Sequence, residues 1–408
     1  MKLSIKQDEL AKGLGIVGKA VSTKATLPVL NNILLEASKE DGGETGCLKL
    51  AATNLSISLI YQVNCAVAKT GGVTIPARLL TEFVTSLATH AKDASIELEL
   101  NDETQTLHIK CGRSEANIRG IHTDDFPSVG MADHNVARLC TMQAAVLKEA
   151  ISQVAFAASQ DETRPVLTAV YAVFEGDKLV LAAADSFRLA VKHTTLLDSV
   201  ATPKTLLLPS KAMTEFARLL SDSGDADNQV DIYVSNNDSK AFFVYQNIVF
   251  ATSLVEGNFP NYQQIIPKSS TTTVTVATNQ LMQAVKTANI FAKDSNGNIV
   301  RLSVMASELG VEIDEQSGAS MPVTTFDKLL ITANSNEVGD NKSELDIVLE
   351  GDNNQIAFNA KYMVDVLNVI DVEKIVLELL DGSKPGVVKP VGKDDYVYVI
   401  MPMHLAPR

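Results

Sequence analysis

Apolar positions along the chain follow two periods. Leu3-Ser-Ile-Lys alternates and predicts a strand. Leu10, Leu14, Val17 and Val21 then fall at i, i+4, i+7 and i+11, which is one narrow stripe of a helix, with Lys12 and Lys19 on the opposite face. The spacing returns at Leu147, Ile151, Val154 and Ala158. It returns again at Leu281, Val285, Ala288 and Ala292, with Lys286 and Lys293 off the stripe.

A second helical pattern also recurs. Ile75-Pro-Ala-Arg-Leu-Leu-Thr-Glu-Phe is answered by Leu208-Pro-Ser-Lys-Ala-Met-Thr-Glu-Phe and, more loosely, by Asn359-Ala-Lys-Tyr-Met-Val-Asp-Val. In each a base stands four residues before an acid: Arg78/Glu82, Lys211/Glu215, Lys361/Asp365. A residue expected in the core follows: Phe83, Phe216, Val366. Asp125-Phe-Pro-Ser and Asn258-Phe-Pro-Asn close the first two copies. Pro76 and Pro209, like Phe126 and Phe259, are 133 positions apart. A period this long is a domain rather than a solenoid repeat. Alternating segments such as Ile96-Glu-Leu-Glu-Leu lie between the helices, so each copy reads as α+β, a few helices against antiparallel sheet. Three similar domains follow, at 1–135, 136–268 and 269–408, with polar linkers near Met131 and Lys268.

Composition narrows the class. With 408 residues, 46% hydrophobic and 21% charged, the chain is globular and large enough for two to four domains. No apolar run nears the roughly 20 residues of a membrane span. Met1-Lys-Leu-Ser-Ile-Lys is too polar for a signal peptide. Cys47, Cys65, Cys111 and Cys140 show no metal or redox spacing and are expected reduced and buried. These features predict a cytoplasmic protein. The net charge of −14 opposes nucleic-acid binding unless charge is unevenly spread, acidic outside and basic around a central hole.

Candidate chemistry is thin. Gly13-Leu-Gly-Ile-Val-Gly18 matches a dinucleotide fingerprint, and Gly13–Lys19 resembles a phosphate loop. The second pattern fails at Ala20, where a hydroxyl should reach magnesium. The first needs a strand entering Gly13, whereas the helical stripe runs through the glycines. A dinucleotide-dependent enzyme, with Glu36 as ribose contact, is the rival reading. His108 and Cys111 lack further ligands at metal-binding spacing, and Asp124-Asp125 lacks a partner acid or nucleophile. No catalytic residues, metal or cofactor are expected.

The recurring base near a helix start opposes the helix dipole. It serves either a bound phosphate or the acid one turn later. Lys24 and Arg164 stand in matching loops after the first helix of their copies.

The stretch Ala183-Ala-Asp-Ser-Phe-Arg-Leu-Ala-Val191 reads as a strand ending in a turn, and alone could be a plain hairpin with an exposed Phe. Together with the three copies, the Thr26-Leu-Pro-Val-Leu loop, Phe259-Pro-Asn-Tyr262 and Met401-Pro-Met-His-Leu405, it resembles the bacterial sliding clamps, the beta subunits of the replicative polymerase. The resemblance spans the whole chain. It implies a DNA-clamp fold in which a head-to-tail homodimer closes a ring, helices lining the hole and antiparallel sheets outside. It implies a processivity factor that encircles duplex DNA without sequence preference, is opened by a clamp loader, and tethers the replicative polymerase and other clamp-binding proteins. A structural repeat protein without a DNA role is a further rival.

The resemblance also implies sites. A partner-peptide groove is expected from Leu167, Ala184, Asp185, Ser186, Phe187, Arg188, Leu189, Pro260, Gln264 and Ile265, with Tyr362, Val399, Met401, Pro402 and Met403. An apolar groove with one guanidinium suits short extended peptides carrying Leu or Phe anchors and a polar residue. Lys12, Lys19, Lys24, Arg78, Arg164, Lys211, Lys286 and Lys361 are expected toward DNA. Ile290 and Phe291 would face Ala116 and Ile118 of the other subunit. Three features depart from the family: Ser186-Phe187 replaces the usual Gly-His, Asn334–Glu344 reads as an enlarged polar loop, and Ala406-Pro-Arg extends the tail.

Overall fold

The protein is described from a computed structural model covering all residues except 23–26, 40–44, 88–93, 221–227, 294–296, 308, 314–319, 325, 336–338 and 404–408. Lys24 and the Ala406–Arg408 extension therefore lie outside the described residues. Among the described residues there are six α-helices: α1 (Gln7–Val17), α2 (Ala77–Ser86), α3 (Ala144–Val154), α4 (Ser210–Ala217), α5 (Thr278–Ala292) and α6 (Ala360–Leu367). Two per repeat is what the stripes predict. Leu10, Leu14 and Val17, then Leu147, Ile151 and Val154, then Leu281, Val285, Ala288 and Ala292, are all buried. Val21 and Ala158 lie past the ends of their helices, beyond short 3-10 turns.

Tertiary contacts divide the chain into two compact units. The first comprises Met1–Lys148, Glu175–Asp177 and Thr195–Val255. Its main sheet is antiparallel, running from Ser114–Arg119 at one edge through Thr106–Cys111, Ser95–Asn101, Lys2–Lys6 and Ile57–Lys69. It continues through Ile248–Ser253, Lys240–Tyr245 and Gln229–Ser235 to Val136–Gln143. The pairing of Ile248 with Tyr61 joins the first repeat to strands from the start and the latter half of the second in one hydrogen-bonded surface. Strand pairing thus divides the middle repeat, which sequence periodicity alone does not show.

The second unit comprises Glu149–Phe174, Lys178–Thr194 and Glu256–Arg408. Arg188–Lys192 pairs antiparallel with Tyr396–Ile400, and the sheet continues through Gly386–Pro390, Lys374–Leu379 and Thr272–Ala277 to Val348–Gly351. A four-stranded sheet runs Gly339–Asp346, Lys328–Ser335, Ile299–Met305, Asn354–Asn359. The supposed polar loop at Asn334–Glu344 is for the most part this sheet's outer hairpin, with Ser335 opposite Gly339 and Leu330 opposite Glu344. Its alternation of exposed Asp, Lys and Glu is that of an edge strand, which polarity alone made look like a loop.

The glycines of α1 resolve the dinucleotide reading. The preceding strand ends at Lys6 and the helix begins at Gln7, so Gly13 and Gly15 sit inside the helix rather than at its mouth. A Cβ on Gly13 would come 2.6 Å from Leu50 Cδ1 and 2.7 Å from Tyr61 Cδ1, because the helix lies directly on those strands. Gly15 and Gly18 face open space. Gly15→Ala is therefore expected to stabilise the protein by about 0.5–1 kcal/mol, while Gly13→Ala destabilises it. Urea melts of both variants check this, and a Gly13→Ala protein as stable as Gly15→Ala would remove the packing argument.

Two further expectations are corrected. Phe83 is only half-buried, unlike Phe216 and Val366, because Leu80 and Val84 take the inner face of α2. Cys111 and Cys140 are buried, but Cys47 and Cys65 are partly exposed near one end of their strands. Burial still pushes the thiols of Cys65 and Cys140 up to about 11 and about 12.

Candidate functional site

The Asp185–Arg188 turn has a twin in the first repeat. Asp185 Oδ1 accepts from the backbone N–H of Phe187 (2.7 Å) and Arg188 (2.9 Å), and Asp185 N–H donates to the Arg188 carbonyl. Asn54 Oδ1 likewise accepts from Ser56 and Ile57, and Asn54 N–H donates to the Ile57 carbonyl. An Asx residue closing its own turn is a local device that sequence carries directly. The first-repeat turn needs neither a ring nor a guanidinium to form.

In the second unit Arg188 does more than close the turn. Its side chain is 9% exposed. Nε donates to Asp185 Oδ2 at 3.0 Å, one terminal nitrogen to Asp365 Oδ2 at 2.6 Å, and the other to the Phe156 carbonyl at 2.8 Å. The guanidinium lies 4.4 Å from the Tyr362 ring centroid and 5.5 Å from that of Phe156. Burial alone would lower its pKa, but Tyr398, Asp365 and Asp185 outweigh that and hold it raised. Arg188 is thus fixed as a latch between the turn, the α6 helix and the 3-10 turn Ala155–Ala157 that follows α3.

The latch explains the fate of the recurring base-acid pairs. Arg78 bonds Glu82 at 2.8 Å, as an i,i+4 pair. Glu215 instead pairs with Arg218, and Asp365 with Arg188. One sequence pattern serves three different partnerships. Arg164 is exposed and bonded locally. Its Nε reaches Asp161 Oδ2 at 3.3 Å and it donates to Ser186 Oγ at 2.9 Å, placing it beside the groove turn.

Around the latch the expected groove residues fall into layers. Ala184, Leu189 and Val399 are buried in one apolar cluster with Ala182, Val191 and Val387, so they form floor rather than wall. Tyr171, Phe259 and Tyr262 pack on that cluster, Tyr171 and Phe259 stacked at 5.0 Å. Leu167 is half-buried, and Pro260, Gln264 and Ile265 are exposed. Phe187 is 52% exposed and stacks on Tyr362 at 6.4 Å between centroids. The last strand ends at Ile400, and the tail is then tied by Met401 N–H to the Phe187 carbonyl and by Met403 N–H to the Ala357 carbonyl, each 2.8 Å. Pro402 lies between these bonds. Phe156, Tyr171, Phe259 and Asp365 are the contributors sequence reading missed. The offset linking Phe259 to Phe126 was the available signal, since Phe126 packs on the equivalent cluster of Leu30, Leu34, Ala51 and Ile60.

Of the remaining expected residues, Lys12, Lys19, Arg78, Lys211, Lys286 and Lys361 are all exposed. Ile290 is 64% exposed, Phe291 half-buried and Ala116 half-buried on the edge strand Ser114–Arg119. Ile118 is 4% exposed and points into its own core, so it cannot offer a side chain to a partner. Among the described residues no His/Cys/Asp/Glu group could hold a metal, and His108 is bonded to Asn117. No helix among them is long and apolar enough to cross a membrane.

Comparison with known proteins accords with this geometry. Sequence models of the N-terminal, central and C-terminal domains of the DNA polymerase III beta subunit match residues 1–130, 141–261 and 320–404. The beta sliding clamp of Staphylococcus aureus is 30% identical over 408 residues, 99% of each chain. The solved sliding clamp of Bacillus subtilis is 26% identical with a TM-score of 0.86, covering 100% of both chains. That of Pseudomonas aeruginosa, solved with ligand, is 27% identical with a TM-score of 0.83, covering 99% of this chain and 100% of that one.

Proposed function

Since this chain belongs to the family of DNA polymerase III beta subunits, the bacterial sliding clamps, it is a non-catalytic processivity factor of three-domain clamp fold, and we propose how its own residues serve that role. The domains are 1–135, 136–268 and 269–408, a division supported by the repeat offsets and the spans of the three family matches. Two copies close head to tail around duplex DNA in the cytoplasm. The exposed bases Lys12, Lys19, Arg78, Lys211, Lys286 and Lys361 meet phosphates without reading bases. Arg164 leaves this set, because Asp161 and Ser186 hold it at the groove turn.

The replicative polymerase, the clamp loader and other partners bind as short extended peptides on the apolar surface around Phe187, Tyr362, Ile265 and Met401. The observation that carries this reading is the Arg188 latch. Three hydrogen bonds from Arg188 tie the turn to α6 and to Phe156, and the exposed Phe187 ring next to it stacks on Tyr362 of α6. A surface fixed before the partner arrives loses less entropy on binding. Methionine side chains on a tail pinned by its backbone then adapt to different partners.

Replacing Met401 and Met403 together by Ala should weaken a polymerase-derived peptide about tenfold, or about 1.4 kcal/mol. Both backbone bonds of the tail survive the change, so the melting temperature should fall by only a few degrees. Fluorescence anisotropy and calorimetry read the two effects. Undiminished peptide affinity would show that the groove lies elsewhere.

A further inference from the structure

We infer that the first repeat carries a second docking surface, built around Leu27 and Leu55, that takes a partner segment whose apolar anchor is flanked by lysine or arginine. The inference borrows its scaffold from the groove reading above and goes beyond it by assigning a separate site with a different ligand chemistry.

The bonds that frame the groove recur one by one in the first unit. Asn54 closes its turn as Asp185 does. Ser253 N–H donates to the Ser56 carbonyl at 3.1 Å, as Met401 N–H does to that of Phe187. Val255 N–H donates to the Leu207 carbonyl at 2.9 Å, as Met403 N–H does to that of Ala357. The 3-10 turn Pro28–Asn31, entered from Leu27, matches Pro165–Thr168, entered from Arg164.

The side chains on this scaffold differ. Arg164 and Ser186, which bond each other beside the groove turn, are answered by Leu27 and Leu55, 50% and 56% exposed. Leu27 leads into the turn carrying Val29 and Leu30, and Leu55 joins the strands carrying Ala51 and Ile60, so both flank one buried cluster. Leu55 also takes φ = 73°, a region that suits glycine or asparagine and penalises a bulky side chain. The turn itself therefore gives no reason for a leucine there.

Charge says what fits. Asp124-Asp125-Phe126 stands where the second copy has Gly257-Asn258-Phe259. Phe126 is buried in the cluster, which sets two exposed carboxylates at its rim, Asp124 lying 3.2 Å from His122 Nδ1. Ile57 stands where the groove turn has Arg188, and Leu27 where it has Arg164, so the first-repeat surface lacks both guanidinium groups. An apolar face with a negative rim favours a segment that brings an anchor and positive flanks.

The test uses the full chain and three labelled short peptides: a Leu-Phe pair between lysines, the same pair between glutamates, and a Ser-Ser pair between lysines. Anisotropy is read with a saturating unlabelled polymerase-derived peptide, which keeps the groove filled. The lysine-flanked Leu-Phe peptide is expected to bind at least about tenfold more tightly than either of the others. Leu55→Asn suits the left-handed backbone, so it should leave the melting temperature unchanged while weakening that peptide about tenfold. Asp124→Asn with Asp125→Asn should weaken it about threefold. Equal binding of the Ser-Ser peptide would reduce the surface to unspecific charge attraction and overturn the inference. So would a Leu-Phe peptide displaced by the polymerase-derived one and indifferent to Leu55→Asn, which would assign it to the groove. A change in sedimentation on Leu55→Asn without any peptide would make the patch a contact between copies of the chain, and overturn the inference equally. Failure of the polymerase-derived peptide to bind would overturn the groove reading alone, since dependence on Leu55 decides this one.

Discussion

Loaded onto a nicked circular duplex, the protein is expected to remain bound through a high-salt wash and to leave once the circle is cut. The exposed lysines and Arg78 can give only screened phosphate contacts. A protein held by ~6 such contacts would lose on the order of 10³ in affinity between 50 and 200 mM salt. The chain's net charge of −14 weakens even that attraction at long range. A closed ring holds DNA by topology, which salt does not screen, so retention should depend on whether the duplex has an end. Gel filtration of loaded circles, before and after restriction cleavage, reads the result. Equal retention on circular and linear DNA would refute encirclement and point to charge-driven binding instead.

That expectation came from sequence, and it is instructive which parts of the molecule sequence could reach. The helix stripes were legible because a stripe is a local pattern with one physical cause: Leu10, Leu14 and Val17 are apolar since one face of α1 lies on a sheet. The Asp185 turn was legible for a similar reason, since an Asx side chain bonds backbone only two and three residues on. Strand order was not legible. Nothing near Tyr61 announces that its neighbour in the sheet is Ile248, and that pairing is what splits the middle repeat between two compact units.

The site shows the same limit. Arg188 and Asp365 are 177 residues apart, and the local pattern around Asp365 pointed to Lys361 as its partner. A buried guanidinium with two carboxylates is decided by which segments meet, and sequence shows only which could. Conversely, Arg78 and Glu82 are paired as the i,i+4 rule predicts, with the arginine side chain 91% exposed. The matching lysines and acids of the other repeats look alike in sequence and differ in what they meet.

The dimer contact is where a small change should have the largest effect on the assembly. Ile290 is 64% exposed on α5, a helix whose Leu281, Val285, Ala288 and Ala292 are fully buried. The same helix packs against Gly339–Asp346, a strand with one side unpaired in its sheet. The expected partner surface, Ser114–Arg119, is likewise an edge strand. Because Ile118 is turned inward, that surface must offer Ala116 and the strand's outer backbone groups. Burying Ile290 and the exposed part of Phe291 would contribute about 1.5–3 kcal/mol for each side chain fully covered, at both contacts of the ring. Arg at 290 and Asp at 291 would remove that burial and place unpaired charges in the contact. Ile290→Arg with Phe291→Asp is therefore expected to sediment as a monomer at micromolar concentration, with its circular dichroism unchanged. Phe291 is half-buried in its own domain, so Ile290→Arg alone serves as the control, shifting the equilibrium toward monomer without touching that packing. If both variants still sediment as dimers, the subunits meet through a different surface.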